Sequence, residues 1–349
     1  MYAPNVRLMR VVMSNSDTII LTFYLIFIGL ALWAFAQAWI HQARTETIHP
    51  FKAFVHLAAF YLSYLLIPLW FFSLYAGWSA YYSFHETIFV FSLTSLLIYA
   101  RFIEPHLVHI KHHQYRLNPD HEFIKPVKVA LIADMHVGLF SGHERQLKTI
   151  VKKLNDAQPD IVVVAGDWTY EPENRLIQEL SVLKEIQAPV YSVPGNHDEQ
   201  YPGPPIQSLL KAALEQNNVM DIEGKILDFD EFRLIGIGDL WAGKANMRFM
   251  PDLPQDKPWL ILSHNPDTVD MVPELPVRPL MLAGHTHGGQ CKPPFLEAPA
   301  DFIASVINPS LIFPGDGFMS KPAPTAAALF AYSRIILPKL SATFAFTER

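Results

Sequence analysis

The strongest constraint on the fold is the absence of charge from long stretches near the N-terminus. Residues 18–40 contain no Asp, Glu, Lys or Arg. As a helix that rises about 1.5 Å per residue, this run is roughly 35 Å long, enough to cross a hydrocarbon core of about 30 Å. A second uncharged run, 53–85, is too long for one helix, so we expect a span over 53–76 that ends near Gly77. Pro68 is expected to kink that helix.

A third apolar segment, 83–103, carries Glu86 near one end and Arg101 near the other. We therefore predict a membrane anchor over 1–104 with two or three transmembrane helices. A signal peptide followed by buried helices is disfavoured, because the first run exceeds the roughly 7 to 15 apolar residues of a signal-peptide core. Charged residues make up 17% of the chain, against roughly 25% in soluble domains, which agrees with a membrane protein.

The overall charge excludes some classes of partner. The formal net charge is -6, so the chain lacks the basic field on which non-specific nucleic-acid binding depends. We therefore expect no nucleic acid among its partners. Cys291 is the single cysteine, which excludes an internal disulfide framework.

Positive charges flank the predicted spans unevenly. With three spans, two charges lie on the side of the N-terminus and five on the opposite side: Arg7 and Arg10 against Arg44, Lys52, Arg101, Lys111 and Arg116. Lys and Arg accumulate on the cytoplasmic side of membranes. We therefore predict a multi-pass protein of the cell (inner) membrane in which all residues after the third span face the cytoplasm. With two spans this orientation inverts. The stretch 105–126 is predicted to be a juxtamembrane linker whose histidines suit a basic segment at the lipid headgroups better than a metal-binding tract.

From residue 127 onward, short apolar runs alternate with amphipathic segments, which is typical of an α/β layer structure. Amphipathic segments predict helices over 142–157, 173–186 and 206–216. We therefore place a folded α/β domain at 127–295. The apolar runs predict six strands, at 127–133, 160–165, 189–193, 232–237, 259–262 and 279–282.

Five of the six predicted strands are followed by side chains that can bind a metal ion. In α/β sheets the loops at the carboxyl ends of strands converge on one crevice. Alternate residues of an extended segment point to the same side, so a pair such as Asp134 and His136 can face one ion. One such pair is usually ordinary surface sequence, but five polar strand ends in one domain predict a metal site. The polar side chains at these strand ends that we assign to the site are Asp134, His136, Asp167, Asn196, His197, His264, His285 and His287.

The order Asp-x-His, Gly-Asp, Gly-Asn-His-Asp, His and Gly-His-x-His resembles the calcineurin-like metallophosphoesterases, in particular their bacterial membrane-anchored members. The resemblance covers about 127–295 and implies a β-sandwich flanked by helices, here preceded by transmembrane helices. It also implies two metal ions that share Asp167. Their ligands would be Asp134, His136, Asp167 and His287 for one ion, and Asp167, Asn196, His264 and His285 for the other. His197 would face the substrate without binding metal, supported by an acid such as Asp134 or Asp198.

The resemblance implies a metal-dependent hydrolase of phosphoric esters or anhydrides. Carboxylate, amide and imidazole ligands suit Mn, Fe or Zn. Two such ions about 4 Å apart clamp a phosphoryl group and generate hydroxide from water near neutral pH, while a histidine such as His197 can protonate the leaving oxygen. The anchor favours a phosphodiester or pyrophosphate bond in a lipid-linked substrate. Two alternatives remain: a broad-specificity phosphatase or nucleotide phosphodiesterase, and a catalytically silent metal-bound interaction module.

Two further segments leave their interpretation open. Trp241 and Lys244 follow the predicted strand 232–237 and either contact substrate or form an ordinary turn with a packed tryptophan. The C-terminal segment 296–349 is rich in Pro and Ala and does not match the closing strands of the family. It is expected to be either a diverged membrane-facing surface or a segment that leaves the domain without its closing strands.

Overall fold

The computed structural model divides the chain into two compact units. The N-terminal unit comprises Met1–Arg44 and Phe51–Arg101, and the C-terminal unit comprises Thr45–Pro50 and Phe102–Arg349. Several residues discussed above, including Arg7, Arg10, Arg116 and Cys291, lie outside the described part of the chain. The structure describes residues 15–44, 50–114, 126–140, 143–172, 175–199, 206–275 and 279–287, and the strands at 318–319, 327–330, 333–335 and 338–346.

Four α-helices precede the first strand: α1 (Asn15–Gln42), α2 (Pro50–Leu62), α3 (Leu66–Trp78) and α4 (Phe84–Ile98). A 3₁₀ turn, Ser63–Leu65, joins α2 to α3. This turn includes Tyr64, four residues before Pro68. Because proline has no N–H to offer to the carbonyl four residues earlier, the regular α-helical pattern is interrupted there. The structure therefore has a local 3₁₀ turn shortly before Pro68, where the sequence predicts a kink.

Among the residues that the structure describes, three helical segments are long and apolar enough to cross a membrane: Asp17–Gln42, Pro50–Trp78 and Phe84–His106. In the third segment, Phe84–His106, both charged side chains that the sequence analysis noted have polar or aromatic partners. Glu86 lies in the first turn of α4 and forms a capping box with Ser83, whose backbone N–H donates to Glu86 Oε2 at 2.8 Å. Arg101 donates from Nε to Ser63 Oγ at 2.8 Å, and its guanidinium lies 4.2 Å from the ring centroid of Phe60.

The C-terminal unit is built around two β-sheets and a short separate pair, β3 (Val137–Gly138) with β5 (Thr169–Tyr170). The first sheet contains β1 (His109–Gln114), β2 (Lys128–Ile132), β4 (Ile161–Ala165), β6 (Val190–Val193), β7 (Val219–Asp221), β14 (Ser333–Ile335) and β15 (Pro338–Phe346). The second contains β8 (Ile226–Asp228), β9 (Arg233–Gly236), β10 (Trp259–Leu262), β11 (Leu280–Ala283), β12 (Phe318–Met319) and β13 (Ala327–Phe330).

Parallel pairing brings the ends of the central strands to one edge of each sheet. The first sheet has the order β1-β15-β2-β4-β6-β7, with β14 beside β15, and the second has the order β12-β13-β11-β10-β9-β8. Strands β2, β4, β6 and β7 are parallel to one another, and so are β9, β10, β11 and β13. Loops that leave these strands therefore emerge at a common edge of each sheet.

The two sheets pack face to face with a shared apolar core. Along β2, Val129 and Leu131 contribute to the core between the sheets, whereas Ala130 and Ile132 face the opposite side. Strands of the second sheet contribute alternate residues such as Leu260 to the same core. Alternation along strands with both faces buried is the pattern of a layered β structure. The predicted β-sandwich is confirmed.

Helices cover the outer face of the first sheet. They are α5 (His143–Ala157), α6 (Leu176–Glu179) and α7 (Gln207–Gln216), and Leu147, Leu176 and Leu210 join the core on that face. The predicted helix over 173–186 is wrong in its length. In the structure α6 ends at Glu179. The backbone of Leu180 (φ -86°, ψ 0°) leaves the helical region, and a 3₁₀ segment, Ser181–Glu185, follows.

Two segments predicted to lie outside the domain supply strands to the sheets. Strand β1 lies in the predicted linker 105–126 and pairs with β15. Within 296–349, β13 pairs with β11, and β15 pairs with β2. The structure therefore has paired strands in 296–349, where one of the two alternatives left open had none, and the predicted domain bounds stay a prediction. Strand pairing uses only backbone N–H and C=O groups. The Pro- and Ala-rich composition of this segment therefore did not reveal that it forms strands.

Candidate metal centre

The structure brings all the sequence-predicted site residues together at the ends of five strands. The loop after β2 carries Asp134 and His136, and those after β4, β6, β10 and β11 carry the others: Asp167, Asn196, His197, His264, His285 and His287. Backbone hydrogen bonds tie these loops to one another. Asp134 N donates to Gly166 O and His136 N to Asp167 O, both at 3.0 Å, and Gly284 N donates to His264 O at 2.9 Å.

Five of these residues have a left-handed backbone, which side chains other than glycine seldom adopt. Such conformations cost about 1 to 3 kcal/mol each and persist where the surrounding structure holds them, commonly at functional sites. The left-handed residues in these loops therefore mark this edge of the sandwich as a candidate functional site. The φ angles are 56° at Asp134, 46° at His136, 52° at Asp167, 70° at His285 and 50° at His287.

A first cluster contains Asp134, His136, Asp167 and His287, and each of them offers one ligand atom within 4.8 Å of the others. The Nε2 atoms of His136 and His287 lie 3.3 Å apart. His287 Nε2 lies 3.8 Å from Asp134 Oδ1. Two imidazoles and two carboxylates that face one point form a donor set suited to a divalent transition metal.

A second cluster contains Asp167, His264 and His285, also within 4.8 Å of one another. Asn196 joins it, because its Oδ1 lies 3.0 Å from both His264 Nε2 and His285 Nδ1. His264 Nδ1 lies 2.8 Å from the carbonyl of Ala165, which fixes the orientation of the ring. Its Nε2 is therefore directed into the cluster, as in metal-binding histidines whose other nitrogen bonds a carbonyl.

Asp167 belongs to both clusters. Its Oδ2 lies 3.6 Å from His136 Nε2 and 3.4 Å from His264 Nε2. Its Oδ1 accepts a hydrogen bond from His197 N at 2.9 Å, whereas Oδ2 is buried without a hydrogen-bond partner among the described residues. Burial raises the pKa of this carboxyl well above its usual value, and the negative charges of Asp134 and Asp198 add to the effect. A buried carboxylate oxygen of this kind fits a bound cation.

Burial also keeps the histidines of both clusters uncharged near neutral pH. It lowers the pKa of His136 and His264 well below the usual value, that of His285 to about 4 and that of His287 to about 3. Neutral imidazole is the form that binds metal. The donors present, their burial and their protonation state therefore fit divalent metal ions.

Asp198 holds the loops of the site in place. Its Oδ2 accepts hydrogen bonds from Trp168 N at 3.2 Å and Gly195 N at 2.9 Å, and its Oδ1 accepts from the N and Oγ1 of Thr169 at 3.0 and 2.9 Å. These bonds join the loop after β4 to the loop after β6. Asp198 was predicted as one of two acids that could support His197, and its oxygens are engaged instead by four donors of these loops. Support from Asp134 stays a prediction.

Glycines allow the close approach of these loops. A Cβ on Gly195 would collide with Asp167 Oδ1 and lie 2.5 Å from Asp167 N. A Cβ on Gly166, where φ is +77°, would lie 2.7 Å from Gly195 N and 2.8 Å from His264 Nδ1. Both positions therefore exclude any larger residue.

His197 lies beside the first cluster and is half-buried. Its ring centroid is 4.9 Å from that of His136 and 5.1 Å from that of Tyr170. Tyr170 in turn stacks on Phe140 with centroids 6.1 Å apart. Sequence reasoning missed Tyr170, although its position three residues after Asp167 in the same loop was a usable signal.

A β-sandwich with helices on one outer face, and with carboxylate, amide and imidazole side chains gathered at its strand ends, defines a metal-dependent phosphoester hydrolase of the metallophosphoesterase type. The family model named calcineurin-like phosphoesterase matches residues 127–302, just over half of the 349 residues. The chain belongs to that family.

Individual relatives match over somewhat more than half of the chain. The uncharacterized metallophosphoesterase YkuE of Bacillus subtilis is 26% identical, with 56% of this chain and 71% of the relative covered. The phosphodiesterase YaeI of Escherichia coli is 28% identical, with 58% and 74% covered. The UDP-2,3-diacylglucosamine pyrophosphatase LpxG of Chlamydia trachomatis is 22% identical, with 63% and 84% covered.

Proposed function

We propose that the protein is a membrane-anchored phosphohydrolase that uses two divalent metal ions to cleave a phosphodiester or pyrophosphate bond. The observation that carries the proposal is the position of Asp167 Oδ2, 3.6 Å from His136 Nε2 and 3.4 Å from His264 Nε2. A single carboxylate that borders two separate sets of donors suits a ligand shared by two ions.

The ligand assignment follows the two clusters. The first ion is held by Asp134, His136, Asp167 and His287, and the second by Asp167, Asn196, His264 and His285. When bound, the ions supply positive charge that polarises the phosphoryl group and lowers the pKa of water toward about 7. The mixed oxygen and nitrogen donors suit Mn, Fe or Zn.

His197 is the residue we assign to the leaving group. Its backbone N–H is fixed on Asp167 Oδ1, and its half-buried ring lies beside His136 and Tyr170. A histidine at the margin of the centre can reach the ester oxygen that departs and deliver a proton from its ring nitrogen. Tyr170 packs against the imidazole and limits its rotation.

The substrate class rests on the anchor and on the relatives. A membrane anchor formed by the N-terminal helices would keep the C-terminal unit near lipid, where the local concentration of a lipid-linked substrate is high. One relative is described as a phosphodiesterase and another as a pyrophosphatase of an acylated nucleotide sugar. A lipid-linked diester or pyrophosphate is therefore the substrate class we favour over a soluble monoester.

The proposal is tested with the full-length protein in detergent. Hydrolysis of bis-p-nitrophenyl phosphate and of p-nitrophenyl phosphate is measured with added manganese, beside the variant Asp167→Asn. We expect preferential cleavage of the diester and a loss of at least about a hundredfold in the variant, since the shared ligand is altered. Preference for the monoester would instead indicate a broad-specificity phosphatase, and folded, metal-loaded protein that cleaves neither ester would indicate a silent metal-bound module.

The lipid linkage needs a separate comparison. A nucleoside diphosphate sugar with acyl chains is offered in mixed micelles beside the same compound without them. A higher kcat/KM for the acylated form supports a lipid-linked substrate. Equal rates support a soluble nucleotide substrate and leave the anchor a role in location alone.

Orientation in the membrane is also a proposal. With three spans, the excess of Lys and Arg after the first and third spans favours a C-terminal unit in the cytoplasm of the cell. A reporter enzyme that is active only outside the cytoplasm, fused after residue 116, should be inactive. An active reporter would place the centre on the other side of the inner membrane.

A further inference from the structure

The loop that follows β9 places an exposed aromatic ring against the second cluster. The ring centroids of Trp241 and His285 lie 4.5 Å apart, with the ring planes at 84°. Trp241 is nevertheless 50% exposed. An indole that touches a site histidine with one part of its surface and leaves the rest open to solvent lies at the rim of the centre, not in the core.

The loop is held by its own polar contacts. Asp239 is fully buried, its Oδ2 accepts from Ala242 N at 2.8 Å, and its carbonyl accepts from Lys244 N at 3.0 Å. Lys244 Nζ lies 2.6 Å from Glu199 Oε1 and 3.8 Å from Glu223 Oε1. The charge of Lys244 is thus matched by carboxylates, so this side chain anchors the loop. Trp241, by contrast, has an exposed surface that a ligand can reach.

Aromatic rings border the two clusters separately. His197 and Tyr170 lie beside His136 of the first cluster, whereas Trp241 lies beside His285 of the second. A phosphodiester or pyrophosphate carries two substituents, of which one departs and one stays on phosphorus. With the departing oxygen at His197, the ring beside the second cluster is placed to contact the substituent that stays.

We propose that Trp241 forms a subsite that stacks a planar ring, such as a nucleobase, in the substituent retained on phosphorus. The exposed face of an indole binds flat rings well and without strict sequence selectivity, and the loss of one such contact corresponds to about a tenfold change in binding. The inference rests on the proposed hydrolase function and specifies what that site recognises. Trp241 is on this account a specificity-determining residue.

The test uses three p-nitrophenyl diesters that share a leaving group and differ in the retained substituent, which is methyl, octyl or thymidine 5′. The full-length protein in detergent is compared with Trp241→Ala and with the matched variant Trp241→Phe. We expect wild type to prefer the thymidine ester. Trp241→Ala should lower the ratio of kcat/KM for the thymidine ester to that for the methyl ester by about tenfold, mainly through KM, whereas Trp241→Phe retains most of the ratio.

Binding of thymidine 5′-monophosphate relative to methyl phosphate, measured by isothermal titration calorimetry, gives a readout without turnover and should shift in the same direction. The inference is overturned if Trp241→Ala lowers kcat/KM equally for all three esters, because that result indicates an effect through His285. It is also overturned if the octyl ester gains as much from Trp241 as the thymidine ester. Failure of the wild type to cleave any of the three contradicts the proposed function itself.

Discussion

The Nε2 atoms of His136 and His287 lie 3.3 Å apart although 151 residues separate them in the sequence. Their rings are nearly parallel, with an interplanar angle of 13°. Burial lowers the pKa of both side chains, so neither is charged at neutral pH. Two uncharged imidazoles whose nitrogens lie this close together suit the binding of a common ion.

Replacement of one of these two histidines should weaken metal binding. We expect His287→Ala to lower the affinity of the first cluster for its ion by more than about tenfold, since a direct ligand matters at least as much as its supporting residues. Inductively coupled plasma mass spectrometry of the purified variant measures the loss. His112→Ala, at an exposed position on β1, serves as the control and should keep the wild-type content. Equal metal content in both variants would contradict the assignment of His287.

Gly195 should tolerate no side chain. In Gly195→Ala the new methyl group would meet the Oδ1 and N atoms of Asp167, so the loops must separate and the two clusters lose their common carboxylate. We expect metal content and diester hydrolysis to fall together. Gly29→Ala is the matched control, because a Cβ at Gly29 would meet no atom within 4 Å apart from the adjacent backbone of its own helix. A fully active Gly195→Ala variant would show that the close approach of these loops is unnecessary.

Asp198 should matter for stability more than an ordinary acidic residue. Asp198→Ala removes an acceptor of four hydrogen bonds and leaves buried N–H groups without partners, which costs about 2 to 3 kcal/mol. In a domain of this size that loss lowers Tm by about 5 to 10 °C. Differential scanning fluorimetry measures the shift beside Asp230→Ala, an exposed control. Equal Tm values for the two variants would contradict the role of Asp198.

The role of His197 predicts a dependence on the leaving group. If His197 protonates the departing oxygen, His197→Ala should impair an alkyl diester far more than a p-nitrophenyl diester, whose leaving group needs little protonation. The difference should reach about a hundredfold in kcat, within the usual range for general acid catalysis, while metal content stays at the wild-type level. An equal loss for both substrates would remove His197 from the protonation step.

Much of the fold could be predicted because local patterns determine it. Buried strands such as β4 are uninterrupted apolar runs, and Gly-Asp or Gly-His after a strand marks a tight departure from the sheet. The strands of the C-terminal segment 296–349 could not be predicted in this way. There β13 and β15 pair through backbone groups with β11 and β2, and the Pro- and Ala-rich sequence shows no periodicity that indicates strands. The end of α6 at Glu179 was likewise not evident, because the amphipathic pattern continues to residue 186 without a glycine or proline stop signal.

The residue types of the site could be predicted from the sequence, but the hydrogen bonds and packing contacts that hold its loops could not. Asp134, His136 and Asp167 stand at strand ends, where chemistry is expected from position alone. The engagement of both Asp198 oxygens by neighbouring loops depends on the spatial proximity of Trp168, Thr169 and Gly195, which the sequence does not encode locally. The contact between Trp241 and His285 is of the same kind, so the sequence favoured simple packing of the tryptophan and left substrate contact as the second interpretation.

The central claim is that Asp167 serves two metal ions in one centre. Its most direct test is the number of metal ions per chain in active wild-type protein and in Asp167→Asn, measured by inductively coupled plasma mass spectrometry on samples of matched folding. The account predicts two ions per chain in the wild type, and in the variant fewer ions together with the loss of diester hydrolysis. Active wild-type protein with a single ion, or an Asp167→Asn variant that keeps both ions and full activity, would contradict it.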